Sequence, residues 1–565
     1  MAQINIPGFR QYVTNPNPRV VDKLDVTALL NMIWDGNQFK GRLGSSQWKN
    51  TAQSSWGRIT KFKTFHKLGD TFYYVVAILT SGRVFYIRSD NANFGTAAAT
   101  WTQLNSSAGA TPALAASATR YDLFAFNNRL YLCDTTNAYF SWNGTDANLT
   151  LETDPPNLST ALIVALKDKT NRLTALDDSG NHHLSAINNG QDFTAVSGGG
   201  RLRYGRVEGL QATTLVSFGD DLIITTEDKI TLQFQAYSLT GIQFFDPAVT
   251  GTDTSQFEVR KISSAASIIG DSSQEISGDT IGLTTRGFVR LSNILGKNTV
   301  SERDFISFPI KELIPQINFE AVDKISSAVD NDGRYYCALP FGGTDVTEAN
   351  ILFVYDFLRS SPEENIHRWS LWTFQGFQDI ATIGTIKGQL YITDTDGNIY
   401  KFNDSNANFQ DVNSAGTAKA INYLVKTAAF GGNEIGISKN FVRWAVLFTD
   451  LTTDKFDVDI NVLVNGSLVS ETIEGDPILP ISIEPTLTGL RYDTPGLLYD
   501  DFNYYDSGND QRVVTLDGRA GRAESMQLSF STNTTGVNWG IGSIAVEVEP
   551  VELLMAAGVN NSGDI

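Results

Sequence analysis

The chain has 565 residues, with 43 Lys plus Arg against 62 Asp plus Glu, for a net charge of −19. At 41% hydrophobic and 19% charged residues it is composed like a folded protein, which excludes wholesale disorder, and its length exceeds one ordinary core unless repeats unite it. An acidic field of this size excludes general adhesion to nucleic acid.

The opening residues, "MAQINIPGFRQYV", have no basic segment followed by an apolar one, and "FYYVVAIL" falls far short of the ~20 residues of a membrane span. Neither secretion nor membrane insertion is expected. Residues 1–65 are polar, with one apolar segment, "VTALLNMIWDGNQFKG", and read as an extended docking arm.

From residue 66 to 404 candidate hairpins follow one another. They are "YYVVAILTSGRVFYIRS", "RLYLCDTTNAYFSWNG", "RLTALDDSGNHHLSAI", "DLIITTEDKITLQF", "DTIGLTTRGFVRLS", "YYCALPFGGTDVTEANILFVYDF" and "LYITDTDGNIYKFND". Each sets two runs of aromatic, β-branched or aliphatic residues across a turn of Gly, Asp, Asn or Ser. With Gly82, Thr136, Gly180, Asp228, Gly287, Gly342 and Gly397 as turn markers, the spacings are 54, 44, 48, 59, 55 and 55 residues. A near-constant period of this size without helical periodicity suits a four-stranded unit repeated about an axis. The expectation is an all-β chain with a β-propeller of six or seven blades over 66–404. A single blade cannot bury both faces, so copies must stack around a ring. The turns "DNDGRYY" (Asp330–Tyr336) and "DTDGNIY" (Asp394–Tyr400) are alike enough to predict one shared geometry, with positive φ at Gly397.

Beyond 404 the period lapses. In "KFDVDINVLVNGSLV", Phe456, Val458, Ile460, Val462 and Val464 alternate strictly before Asn465-Gly466, a strand and hairpin signal. With "NFVRWAVLFTD", "ESMQLSFSTN" and "IGSIAVEVEPV" this predicts an antiparallel β-sandwich over 405–550, and 551–565 reads as a flexible tail.

Chemistry is sparsely provided. Cys133 and Cys337 sit in apolar strand-like stretches and read as reduced core residues. The four histidines, His66, His182, His183 and His367, lack metal-ligand spacing. Asp330 and Asp332, and Asp394 and Asp396, resemble the start of a calcium loop but lack its closing Glu, so turn chemistry accounts for them. No catalytic, cofactor or metal residue is assigned, and an enzyme is not expected. "GGGRLRYGR" (Gly198–Arg206) gathers Arg201, Arg203 and Arg206 in a Gly-rich stretch, either as a contact to phosphate or an acidic partner or as a solvated loop between blades. The aromatic group "HRWSLWTF" (His367–Phe374) reads as blade core.

Three stretches carry a family resemblance. They are "LLNMIWDGNQFKGRLGSSQWKN" (Leu29–Asn50), "DDLIITTEDKITLQFQAYSLTG" (Asp221–Gly241) with the following "DTIGLTTRGFVRLSNILGKNTVSERDFISFPIKELI", and "MQLSFSTNTTGVNWG" (Met526–Gly540). In this order they resemble the hub, nozzle and packaged-DNA stabilisation proteins of short-tailed bacteriophages. The family's "RPG" turn is "GRLGSS" here, and no long nozzle insertion interrupts the blades.

The resemblance implies a structural protein of the virion tail, assembled in the host cytoplasm. It would form a homo-oligomeric ring of about six copies below the portal and adaptor, with other tail proteins as neighbours. That ring would retain packaged DNA and later conduct it outward without sequence-specific binding. An acidic lumen would repel DNA, which carries one negative charge per ~1.7 Å of axis. A tail fibre recognising host glycan and a propeller glycosidase are the alternatives. The resemblance also predicts a short helix near Ile310–Ile314.

Overall fold

The computed structural model describes residues 2–550 apart from 16, 51–55, 117, 119, 137–138, 153–162, 170, 178–180, 195–198, 204–210, 219–220, 229–232, 242–256, 264–266, 295–296, 298, 406, 432–438, 450–457, 466, 469–471, 474–475, 478–480, 484–511 and 518–521. The chain divides into two units: Leu43–Ala420, and Met1–Arg42 with Ile421–Ile565.

The larger unit is a run of antiparallel sheets. Blade 1 comprises Ile59–Phe65, Tyr74–Leu79, Val84–Arg88 and Thr102–Leu104. Blade 2 comprises Asp122–Phe126, Arg129–Cys133, Phe140–Trp142 and Thr150–Leu151. Blades 3 and 4 begin with Ile163–Lys169 and Gln211–Phe218, blade 5 is the three-stranded sheet of Gln274–Ile276, Asp279–Thr284 and Gly287–Arg290, and blade 6 runs from Ser326–Val329 to Trp369–Trp372. Blade 7 has Ile380–Ile386, Gln389–Asp394 and Ile399–Asp404, and its fourth strand is Gly44–Lys49 from the other end of the unit.

The first strands of neighbouring blades pack side by side, except that Gln211–Phe218 of blade 4 meets Asp279–Thr284 of blade 5, and Ile380–Ile386 of blade 7 returns to Ile59–Phe65 of blade 1. The fold is therefore a β-propeller, and seven sheets close it. Each of the seven predicted hairpins is the second-to-third-strand pair of one blade, which is why their markers recur once per repeat.

The stacking explains why the second strand of a blade is apolar on both sides. In Tyr74–Leu79 every residue is buried. Tyr74, Val76 and Ile78 join the core shared with Leu123, Leu130, Leu132 and Trp142 of blade 2. Val75, Ala77 and Leu79 join Trp48, Ile386, Tyr391 and Ile399 of blade 7. Period-2 alternation thus feeds two cores from one strand. Tyr131 and Cys133 repeat the arrangement against Leu166 and Leu173 of blade 3. Both cysteines are free and buried, and Trp369 and Trp372 are fully buried in blade 6. The predicted short helix is a 3-10 segment, Phe308–Gln316.

Closure joins distant parts of the chain. Lys49 pairs with Ile399, Gln47 with Tyr400, Ser46 with Lys401 and Ser45 with Phe402, and Ser46 Oγ donates to Asp404 Oδ2 at 2.6 Å. Residues 1–65, expected as an extended docking arm, are instead divided among three tasks. Residues 2–41 supply sandwich strands, 44–49 close the ring and 59–65 open blade 1. The polar composition that suggested an arm belongs to strands with one wetted face.

The smaller unit is an antiparallel sandwich. One sheet orders Met32–Asp35, Gln38–Gly41, Gly540–Pro550, Lys439–Thr449 and Arg512–Asp517, with Ala2–Ile6 also paired to Gly540–Pro550. The other includes Val26–Leu30, Tyr423–Thr427, Met526–Thr532 and Val458–Val464 in that order. Phe448 and Phe530 meet between the sheets edge to face, with ring centroids 6.1 Å apart. Val458, Ile460 and Val462 are buried, as their alternation predicted, and Asn465 turns at φ 51°. Phe456, Gly466 and the predicted tail 551–565 lie outside the described residues. The sandwich does not simply follow the propeller over 405–550: it starts at Ile421 and takes strands from both sides of the inserted ring. Val425, Val446, Trp539 and Ile541 are buried, as are Trp34 and Phe39 from the N-terminal strands, so both ends of the chain contribute to a two-layer core.

Candidate functional site: the central channel of the propeller

The first strand of a blade has one neighbour in its own sheet and faces the axis with its other edge. Seven such strands enclose a cavity of about 430 Å³, lined by Lys61, Lys63, Asp122, Phe124, Lys167 and Asp271 among others.

Three charges from distant segments meet here. Asp271, just before blade 5, accepts from Lys61 Nζ of blade 1 and, at 3.2 Å, from Arg120 Nη2 at the entry to blade 2. Enclosure alone would raise the Asp271 carboxyl, but Lys61 and Arg120 outweigh it and hold it at about 2. The Asp271 side chain is still 35% exposed.

Asp122 spends its carboxylate on backbone amides: Oδ1 accepts from Leu123 N and Oδ2 from Leu166 N, each at 2.9 Å. The second bond ties blade 2 to blade 3. Gln274 Nε2 donates to Ser327 O at 3.0 Å, and Ile383 N donates to Ser326 Oγ at 3.2 Å, tying blades 5, 6 and 7. Lys63 Nζ and Lys167 Nζ both lie over the Phe124 ring, 4.8 and 5.8 Å from its centroid. Lys63 is exposed to the channel, yet the density of protein around it, with the like charge of Lys167, pushes its ammonium down to about 8.

Two of the arginines singled out in the sequence are placed on a strand. Arg201 and Arg203 lie on Gly200–Arg203, the outermost strand of blade 3, paired with His183 and Asn181, and not in a loop. Strand pairing with Asn181–Leu184 overrides the loop tendency of the flanking glycines. Their side chains and all of Arg206 fall outside the described residues.

The two Asp-Gly turns share their geometry, as predicted. Asp330 Oδ1 accepts from Arg334 N at 2.8 Å and Oδ2 from Tyr336 OH at 2.7 Å. Asp394 Oδ1 accepts from Asn398 N at 2.8 Å and Oδ2 from Tyr400 OH at 3.1 Å. The same offsets, four and six residues on, recur in both turns, with φ of +71° at Gly333 and +87° at Gly397. These carboxylates serve the turns, and no cluster of metal-ligating side chains occurs among the described residues. His183 Nε2 is 2.8 Å from Asp177 Oδ2 in the core of blade 3, and burial pushes His367 down to about 4.

The sequence reading missed Lys61, Lys63, Arg120, Lys167 and Asp271. A signal was present: "ITKFKTF" and "IVALKDK" each place lysines in an otherwise strand-like run just before a predicted hairpin. Lys61, Lys63 and Lys167 of these runs line the channel.

The sequence matches no family profile and no curated protein. Among solved structures the chain is similar to the Pan2 WD40 domain of Neurospora crassa, at 10% identity and a TM-score of 0.36, over 65% of this chain and 96% of that one. BamB from Moraxella catarrhalis is similar at 11% identity and a TM-score of 0.34, over 71% and 98%. YCF48 from Cyanidioschyzon merolae is similar at 12% identity and a TM-score of 0.35, over 63% and 98%. Among the described residues no helix is long and apolar enough to cross a membrane.

Proposed function

We propose that this chain is a structural, non-enzymatic component of a short-tailed phage tail, a hub or nozzle subunit. In this reading several copies form a ring beneath the portal and adaptor, retain packaged DNA and build part of its exit conduit. The observation that carries the reading is the build of the chain: a closed propeller inserted whole into a sandwich made from both sides of it, in a chain of net charge −19. Two chain crossings tether the units, and a strongly anionic β-framework makes a conduit wall to which DNA does not stick.

The propeller's own channel is not that conduit. A cavity of about 430 Å³ is of small-molecule size, and a duplex whose major groove alone is about 12 Å wide cannot thread it. The conduit in this reading runs between copies, as cyclic symmetry provides.

Electron microscopy and mass photometry of the purified chain, alone and mixed with portal and adaptor, test the proposal. Rings, or capture by the portal–adaptor complex, are expected. Monomers under every assembly condition with no affinity for either partner would overturn it.

A further inference from the structure

The charges of the channel do not cancel evenly. Asp271 is taken by Lys61 and Arg120, and the Asp122 oxygens by two backbone amides. Asp323, a further lining carboxylate, pairs with Lys324. That leaves one lining carboxylate, Glu275 of blade 5, and two ammonium groups, Lys63 and Lys167. Among the described residues neither has a carboxylate within ion-pair distance; Lys63 Nζ reaches only Leu123 O, at 3.4 Å. Both ammonium groups lie over one aromatic ring. Two like charges gathered in an enclosed space repel each other and are costly to desolvate, and a bound anion removes both penalties.

We propose that the central channel binds a phosphate-class oxyanion between Lys63 and Lys167, beside the Phe124 ring. A compact dianion with oxygens on several sides suits two ammonium donors, which act as point charges from separate strands. The cavity has room for inorganic phosphate or a small phosphomonoester. Bound there, the anion joins blade 1 to blade 3 through Lys63 and Lys167, as Asp271 joins blade 1 to the entry of blade 5 through Lys61. This site does not depend on the tail role proposed above.

The test uses the full chain in phosphate-free buffer, titrated calorimetrically with inorganic phosphate and, separately, with glycerol 3-phosphate. Saturable binding of inorganic phosphate at one site per chain is expected. Lys63→Met and Lys167→Met should each weaken it about tenfold or more, consistent with loss of a charge-assisted bond. The double substitution should abolish it, while Lys419→Met, at an exposed position, should leave it unchanged. Binding of both probes assigns the site to phosphomonoesters as well; binding of phosphate alone restricts it to the free ion. A second measurement needs no variant: phosphate should slow acetylation of Lys63 in the wild-type chain several-fold, read by mass spectrometry, without affecting Lys419. Absence of saturable phosphate uptake, uptake retained by the double variant, or unchanged Lys63 acetylation would overturn the proposal.

Discussion

Arg120 Nη2 stands 3.2 Å from Asp271 Oδ1, joining the entry of blade 2 to that of blade 5, 151 residues away. Lys61 holds the other carboxylate oxygen from blade 1, so one side chain fastens three segments around the channel. No local hydrogen bond could do this.

Asp271→Asn should therefore destabilise the propeller at pH 7, by about 1 kcal/mol once screening by channel water is allowed for. The Asp271 carboxyl is held at about 2, below its ordinary 3.8. A depressed carboxyl contributes its stability in full above the ordinary value, and loses it as pH falls towards the folded-state value. The gap between wild type and Asp271→Asn in denaturant titrations should accordingly be constant above pH 4, shrink between about 4 and 2, and close near 2. A gap independent of pH would mean that the charge is not the source.

The ring should be sensitive at Gly44. A Cβ there would lie 1.9 Å from the backbone oxygen of Gln410, which has no rotamer by which to yield. Gly44→Val should cost about 3 kcal/mol or more, at the top of the usual range for overpacking. Release of the closing strand would open blade 7. Limited proteolysis should then cut near residues 44–49 in the variant but not in the wild type.

At Gly397 the difficulty is conformational as well as steric. Its φ of +87° is foreign to L side chains, and an added Cβ would come within 2.6 Å of Gly57 O and 2.8 Å of Trp56 Cβ. Gly397→Val should cost roughly 2–4 kcal/mol, lowering the melting temperature of the propeller. An unchanged melting curve would contradict the turn as described.

Lys63 makes the opposite prediction. Its folded-state value of about 8 lies below the ordinary 10.5, so the folded chain gives up this proton before the unfolded chain does. Stability should rise with pH between about 8 and 10.5 on its account. Lys63→Met should raise the melting temperature at pH 7, and the advantage should fade as pH climbs through that window. A variant less stable than wild type at pH 7 would show that Lys63 is held by favourable contacts.

The repeat was legible because it is local. Alternating apolar runs, Asp-Gly turns and a period near 55 residues each depend on neighbours in sequence, and all seven hairpins emerged as blade centres. The pair of turns at Asp330 and Asp394 was equally readable, since each carboxylate reaches only four and six residues ahead. Hidden were the contacts whose partners are far apart. "GSSQWK", residues 44–49, carries nothing to say that it will pair with 399–404.

What the residues by themselves determined is the unit: a small antiparallel sheet apolar on both faces, which has to be stacked because a lone copy leaves both faces in water. Tertiary structure alone decided how many units close and which strand seals the ring. It also decided which charges face the axis. The reason is physical: strand alternation is enforced within a few residues by the pleat, whereas closure balances the loop entropy of some 350 residues against one row of backbone hydrogen bonds, and that balance has no signature in any single segment.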